Sequence, residues 1–375
     1  MMAAGNVPDG LPQPNPSPSY WQLQQPYSKA NHRSTPELPT EGVVNYVIIS
    51  SGISGAATAW KLLAGNEAGK VVMLEARTAA SGGSTRGGAH CHAGWWVKFK
   101  ENVQKYGEEE AVKIDDMEER SMMDLEYFIK YYYVECDYQE MEAVDALKGS
   151  DQAEEIEDLL RLRHEALARG GIQNRRPRIM RREDDAEKHL GTTVGKGVTV
   201  SYRTFTVNPY LLNCRLLDKA LAEKVTHPLN LQTNTPVHAI RAAAPSKNDG
   251  ARWEVETSRG TVRAKNVILA TDGYTNALSS EIASTRFLNP SVDISVALRH
   301  TTGWTVRPFA MNGHGAAVAF GCANALVNII QRRKQLQWVP RSFRIVRAWR
   351  GQAEDGYATE PDPPENDGMR GLYDE

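Results

Sequence analysis

VVNYVIISSGISGAATAWKLLAGNEAGKVVMLE, residues 43–75, decides how the rest of the chain reads. VVNYVIIS is a short β-branched apolar run, the pattern of a strand buried on both faces. SGISG follows at once, and AATAWKLLAG continues as a helix of small residues. KVVMLEAR supplies a second strand, closed by the acid Glu75. Strand, glycine turn, helix and acid-ended strand is the order of a βαβ dinucleotide-binding unit. A pyrophosphate needs backbone N–H donors at a helix N-terminus, and glycines there let it approach closely. Ser50, Gly52, Ile53, Ser54 and Gly55 are the candidates for that contact, and Glu75 can accept hydrogen bonds from a ribose. Ser50 stands where G-x-G-x-x-G has its first glycine. If the turn needs a positive φ there, the serine costs roughly 1–3 kcal/mol.

Downstream of this unit lies ASGGSTRGGAHCHAGWW, residues 80–96, dense in glycine and carrying Arg86, His90 and His92. Such a loop either lays backbone donors against a phosphate or aromatic ring, or is an ordinary surface turn. His90 faces a ligand or makes structural hydrogen bonds, and His92 raises the remoter option of covalent cofactor attachment. Residues 101–170 carry helical patterns rich in Glu, Lys and Leu, ended by Gly170 and Gly171, and these helices are expected to cover a domain interface. GVTVSYRT predicts a strand. Asn208 and Pro209 open a helix predicted to run to about Val225. LNLQTN and VHAIRAA predict strands, and RWEVETS with TVRAKNVILA a hairpin around Arg259 and Gly260. Near the end, NGHG (Asn312 to Gly315) precedes another small-residue helix. Its first-turn N–H groups could stabilise negative charge, or the turn could simply cap the helix. Cys322 within that helix is expected to be buried rather than nucleophilic.

The chain has 375 residues, 41% hydrophobic and 24% charged, which allows one or two domains. Its 44 basic and 46 acidic residues leave a net charge of −2 with no basic block, so nucleic acid is not an expected partner. The leading MMAAGNVPDGLPQPNPSPS lacks the pattern of a secretory signal, and no run approaches membrane-spanning length. A soluble, cytoplasmic protein without a membrane partner is expected. Four scattered cysteines form no C-x-x-C pair, so free thiols and no metal site are expected. Residues 1–40 hold eight prolines and little periodicity, which predicts a disordered or draped arm. Residues 354–375 are expected to form a disordered tail.

SSGISGAATAW, LEARTAASGGSTRGGAHCHAGWW, NPYLLNCRLL, LNLQTNTPV, VILATDGYTNAL and NGHGAAVAF occur in this order. Through them the chain resembles the glycine and D-amino-acid oxidase-like (DAO) FAD-dependent oxidoreductases, particularly a fungal group whose leader is similar to PSYWQ and ANHRSTPELP. The resemblance implies an α/β fold: a Rossmann-like FAD-binding domain (GR2-type) with an interleaved α+β substrate domain. In residues 41–353, the FAD-binding parts would be about 41–100, 200–280 and 305–332, and the helical or substrate parts about 101–199 and 281–304. By the same resemblance, Gly52 to Gly55 take the pyrophosphate of FAD and Glu75 the adenosine ribose, with Ala76 and Arg77 also among the cofactor-binding residues. Ser84, Thr85 and Arg86 take the flavin side of the pyrophosphate. Val237 lies along the adenine, Ala270 and Thr271 close over the phosphates, and Asn312, Gly313, His314, Gly315 and Ala316 cap the isoalloxazine. His90 is the catalytic candidate. The implied reaction is hydride transfer to flavin from the carbon beside an amine, then imine hydrolysis and reoxidation by oxygen. A small-molecule amine or amino acid is the implied substrate.

Three departures from the family pattern stand out: Ser50, the loop STRGGAH where relatives have TGRNGGH, and an interval of only 36 residues between Asn276 and Gly313. That interval looks shortened, with part of a substrate pocket wall missing. An active amine oxidase, a catalytically degenerate relative that keeps the fold, and an NAD-dependent dehydrogenase therefore all stay open. The loop at 80–90 and the NGHG block favour FAD over NAD.

Overall fold

A computed structural model describes residues 11–12, 16–65, 68–147, 150–172, 178–182, 188, 198–223, 225–244, 250–279, 296–300, 303–307 and 315–331. All of these fall within one compact unit, Met1–Phe343.

The expected βαβ unit is present as β1 (Val44–Ile49), α2 (Ile53–Ala64) and β2 (Val71–Leu74), preceded by a short arm helix α1 (Tyr20–Gln24). Strand β1 lies in the middle of a six-stranded sheet because it buries both faces. Ile48 points into one core and Val47 and Ile49 into the other; on β2, Met73 and Leu74 divide in the same way. The sheet is completed by β7 (Asn230–Gln232), β8 (Val237–Ala242), β9 (Trp253–Thr257) and β10 (Gly260–Leu269). Its order is β7-β2-β1-β10-β9-β8. Strands β7, β2, β1 and β10 pair in parallel, while β9 and β8 return antiparallel. The fold is α/β with a Rossmann-type parallel sheet.

One face of this sheet carries α2, α4 (Glu108–Tyr131), α6 (Pro209–Ala222) and α8 (Gly315–Ile330), which share the larger core. Helix α6 starts as its sequence dictates: Asn208 Oδ1 accepts hydrogen bonds from the N–H groups of Tyr210 and Leu211, with Pro209 in the first turn. It ends at Ala222, short of the predicted Val225. Helix α8 meets α4 closely at Gly321, whose N–H donates to Ser121 Oγ at 2.8 Å. A Cβ on Gly321 would lie 2.6 Å from the Ser121 Cβ, so only glycine fits that crossing.

A second sheet, β3 (His90–Cys91), β6 (Val198–Thr206) and β4 (Gln139–Leu147), with β5 (Ile179–Arg182) also on β6, packs under α3 (Phe99–Tyr106), α4 and α5 (Ser150–Arg169). Strand β4 corrects the helical reading of residues 101–170, and β5 was not anticipated either. QEMEAVDAL is rich in helix formers, but nine residues pair antiparallel with β6, and Arg203 meets Glu140 at 2.7 Å. Tertiary pairing overrides propensity here. A helix α7 (Thr275–Leu278) and a hairpin of β11 (Val296–His300) and β12 (Gly303–Arg307) complete the described elements. Cys322, expected to be buried, is exposed on α8; the other three cysteines are buried and all four are free thiols. The expected tail at 354–375 lies outside the described residues. No helix among the described residues is long and apolar enough to cross a membrane.

Candidate functional site

Ser50 closes β1, its N–H donating to the Leu74 carbonyl at 2.8 Å, and its φ of +96° is in the left-handed region. The first-glycine position of the motif therefore does demand a glycine-like backbone. The Ser50 hydroxyl accepts from the Gly52 N–H at 3.2 Å. Gly52 caps α2 without any side-chain cap bond. The Ile53 N–H donates to Ser84 Oγ at 3.1 Å, which joins the glycine turn to the loop 31 residues downstream. Ser54 and Gly55 follow in the first turn, where an N–H has no intrahelical acceptor. These two donors at the positive end of α2 suit an anion. A Cβ on Gly55 would stand 2.2 Å from the Ser50 carbonyl oxygen, so the helix comes this close to β1 only with glycine.

Glu75 is buried beside the turn. Its Oε2 accepts from the Ser51 N–H at 2.9 Å and the Ser51 hydroxyl at 2.6 Å, and its Oε1 accepts from the Arg77 N–H at 3.0 Å. The Glu75 carbonyl accepts from Thr235 N–H and the Arg77 carbonyl from Asn234 N–H, both at 2.8 Å. This brings the segment just before Val237, the buried first residue of β8, alongside Glu75, Ala76 and Arg77.

The loop after β2 folds into a short 3-10 turn, Gly83–Thr85. Arg86 Nε donates to the Ser81 carbonyl at 3.3 Å. Its guanidinium is held below its ordinary pKa by burial and by the neighbouring Arg77 charge. Both arginines line a cleft of about 440 Å³ together with Ser81, Tyr210, Asn234 and the arm residues Pro16, Pro18 and Gln22. Ala270 closes the arrangement from β10: its N–H donates to the Ile49 carbonyl at 3.1 Å, and its Cβ lies 3.5 Å from the Cβ position of Gly55. Thr271 shares a 2.7 Å hydroxyl hydrogen bond with Thr275.

Ser50 to Gly55, Glu75 to Arg77, Ser84 to Arg86 and Ala270 thus converge on one end of the parallel sheet. His90 sits apart from them on β3, paired with Thr206 of the second sheet. It is half-buried, and burial lowers its pKa against a weaker opposite pull from the Gly88 backbone. His92 Nδ1 lies 3.3 Å from the Tyr202 hydroxyl, a structural contact within the second sheet. Asn312, Gly313 and His314 lie outside the described residues, while Gly315 and Ala316 begin α8.

Two residues that sequence reasoning passed over complete the turn. Ser51 fastens Glu75, and its hydroxyl also accepts from the Ala80 N–H at 3.0 Å. Fully buried Asn213 of α6 donates through Nδ2 to the Ser51 carbonyl at 3.0 Å, and its Oδ1 has no hydrogen-bond partner among the described residues. Ser51 fills a variable position of the motif and Asn213 lies 162 residues away, so no local signal marks either one.

A family model described as FAD dependent oxidoreductase (DAO) matches residues 45–318. Among curated proteins, a probable oxidoreductase OrdL of Haemophilus influenzae is 25% identical over 235 residues, covering 63% of this chain and 50% of that protein. The chain spans about half the length of this curated relative. Among solved structures, L-proline dehydrogenase from P. horikoshii and glycine oxidase from Geobacillus kaustophilus each superpose with a TM-score of 0.56 at 12% identity, covering 79% of this chain and 96% of theirs. L-amino acid deaminase from Proteus myxofaciens gives a TM-score of 0.51 at 17% identity, over 71% of this chain and 52% of its own. At such identities the likeness is one of fold.

Proposed function

The chain belongs to the FAD-dependent oxidoreductase (DAO) family, its cofactor is FAD, and on that premise we propose that it oxidises the C–N bond of an amine or amino acid. The observation that carries the reading is the glycine turn at the start of α2, packed between Glu75 and Ser84. FAD, when bound, supplies the hydride acceptor for the carbon beside the substrate nitrogen, with oxygen as the final acceptor.

The chain's own residues supply binding and orientation. The Ser54 and Gly55 N–H groups, helped by the α2 dipole, hold the pyrophosphate. Glu75, preorganised by Ser51 and Arg77, receives the adenosine ribose, and Val237 lies along the adenine. Ser84, Thr85 and Arg86 hold the flavin side of the pyrophosphate, and Ala270 and Thr271 close over it. Gly315 and Ala316 at the start of α8, with Asn312, Gly313 and His314, which lie outside the described residues, would cap the isoalloxazine. His90, whose pKa burial lowers, is the candidate to face the substrate amine. The names of the structural neighbours, an amino acid deaminase, a proline dehydrogenase and a glycine oxidase, support the substrate class.

The test is the visible absorbance of the purified chain, followed by acid precipitation and an amine and amino-acid panel read by peroxide release. A yellow supernatant and peroxide with a member of the panel are expected. A colourless, folded protein that refuses added FAD would overturn the proposal and favour a degenerate relative. The strained Ser50 is the observation that favours that second reading.

A further inference from the structure

We infer that residues 16–40 form a strap whose helix α1 clamps the 83–87 turn, with Ser19, Trp21 and Gln22 as positioning residues for that turn. Helix α1 is only five residues long, but it is closed by a capping box: Ser19 Oγ accepts from the Gln22 N–H, and Gln22 Oε1 accepts from the Ser19 N–H at 2.9 Å. Built in this way, it delivers three donors to one place. The Ser19 hydroxyl donates to the Thr85 carbonyl at 3.0 Å, the Trp21 indole N–H to the Gly87 carbonyl at 3.0 Å, and the Gln22 amide to the Thr85 hydroxyl at 3.4 Å.

The turn buries Thr85, and its own hydrogen bonds are mostly local. Thr85 N–H returns to the Gly82 carbonyl, Arg86 N–H to the Gly83 carbonyl, and Arg86 Nε to the Ser81 carbonyl. Those bonds close the turn on itself and do not fix where it stands. Among the described residues, Ser84 gives it one long-range hydrogen bond, accepted from the Ile53 N–H, and the arm gives it three.

The clamp holds only if the arm is anchored elsewhere, and it is anchored at three separate places. Tyr27 donates its hydroxyl to Asp218 Oδ1 at 3.0 Å and its N–H to the Tyr210 hydroxyl at 3.2 Å, with Lys29 also paired to Asp218. Arg33 and Ser34 then add to the free edge of the parallel sheet, through a bridge to Gln232 and a 2.9 Å bond from Ser34 N–H to the Leu231 carbonyl. Arg259 Nη2 donates to the Pro36 carbonyl at 2.9 Å, and Leu38 is buried in the second core. A segment rich in proline loses little backbone entropy when it is laid down in this way. Because the turn carries Ser84 to Arg86, the strap fixes them relative to the glycine turn, and its effect on cofactor retention rests on the FAD assignment above.

The clamp is tested in the full-length chain by comparing the wild type with a Ser19→Ala/Trp21→Phe variant, which removes two donors and keeps an aromatic ring in place. Hydrogen exchange of the Thr85 and Arg86 amides, measured without FAD, should accelerate about ten- to a hundredfold if two net hydrogen bonds are lost. FAD dissociation should accelerate about tenfold or more, while the exchange of β1 and β10 stays unchanged. Ser19→Thr, which keeps the hydroxyl, should behave as wild type. Unchanged exchange at Thr85 and Arg86 overturns the clamp, and so does equal acceleration throughout the sheet, which marks general unfolding. Faster exchange with unaltered FAD dissociation overturns the positioning role. A wild-type chain that retains no flavin defeats the functional reading instead, and the exchange result still decides the clamp.

Discussion

At Ser50 two effects of opposite sign meet in one side chain. Its φ of +96° costs about 1–3 kcal/mol in a residue with a Cβ, while its hydroxyl returns about 0.5–1.5 kcal/mol by accepting the Gly52 N–H. Ser50→Ala keeps the strain and loses the bond; Ser50→Gly loses both. The glycine variant should therefore be the more stable of the two by about 1–3 kcal/mol, less about 0.4–1 kcal/mol for the freer unfolded chain. Urea denaturation of the pair reads the difference, and equal midpoints would show that the turn relaxes without strain. The glycine variant also frees the Gly52 N–H for an anion, so its FAD affinity should equal or exceed that of the wild type. His90 is a different case, since its proposed role lies in turnover. His90→Ala should slow flavin reduction by about a hundredfold or more, the scale of a lost general base, and leave bound FAD unchanged. Stopped-flow bleaching of the flavin band would measure both.

Between elements, α4 and α5 are locked by a buried ion pair. Arg163 Nε and Nη2 meet Asp115 Oδ1 and Oδ2 at 2.9 and 2.6 Å, with both side chains no more than 6% exposed. Arg178 reaches Glu119 at 2.6 Å in the same layer, over the Tyr202 ring. Arg163→Met strands the Asp115 carboxylate in the interior and should cost about 3–5 kcal/mol, whereas Asp115→Leu/Arg163→Met should cost much less, because the pair leaves together and Glu119, also 3.7 Å from Arg163, keeps Arg178. Chemical denaturation of the two variants decides it; a double variant as damaged as the single one would mean that the pair serves packing more than charge. None of this layer was visible in the sequence, where residues 101–170 read as helices that cover a domain interface and nothing singled out Asp115, Glu119 or Arg163 as partners. The β1–α2–β2 unit was legible because its signal is local: two-faced apolar strands, a glycine turn and an acid at fixed spacing. Strand β4 was not, since its alternating acids acquire partners only when β6 arrives from 60 residues away. The same holds for the site. Gly52, Gly55 and Glu75 announce themselves by position, while Ser51 matters through the bonds it makes to Glu75 and Ala80, and Asn213 through the contact that α6 makes with the Ser51 carbonyl on folding.

For the whole molecule, pH and cofactor act on the same equilibrium between folded and unfolded chain. Burial lowers the pKa of His90, and burial together with Lys29 lowers that of His32. In the unfolded chain each would titrate near 6.5. Below that pH the unfolded state takes up protons that the folded state refuses, so the two histidines favour the folded state fully above 6.5 and progressively less as pH falls toward their folded values. Urea midpoints should thus drop between pH 7.5 and pH 5, and His32→Asn/His90→Asn should flatten part of that drop without removing the share due to other groups. FAD, binding only the folded chain, shifts the curve by RT ln(1 + [FAD]/Kd), about 2.7 kcal/mol at a hundredfold excess over Kd. That shift adds to stability at every pH at which the site is intact. If His90 stays neutral in both the free and the bound protein, the FAD increment should be the same at pH 7.5 and pH 6. An increment that shrinks at pH 6 in the wild type but not in His90→Asn would mean that FAD binding and the His90 proton are linked, which places the imidazole against the cofactor.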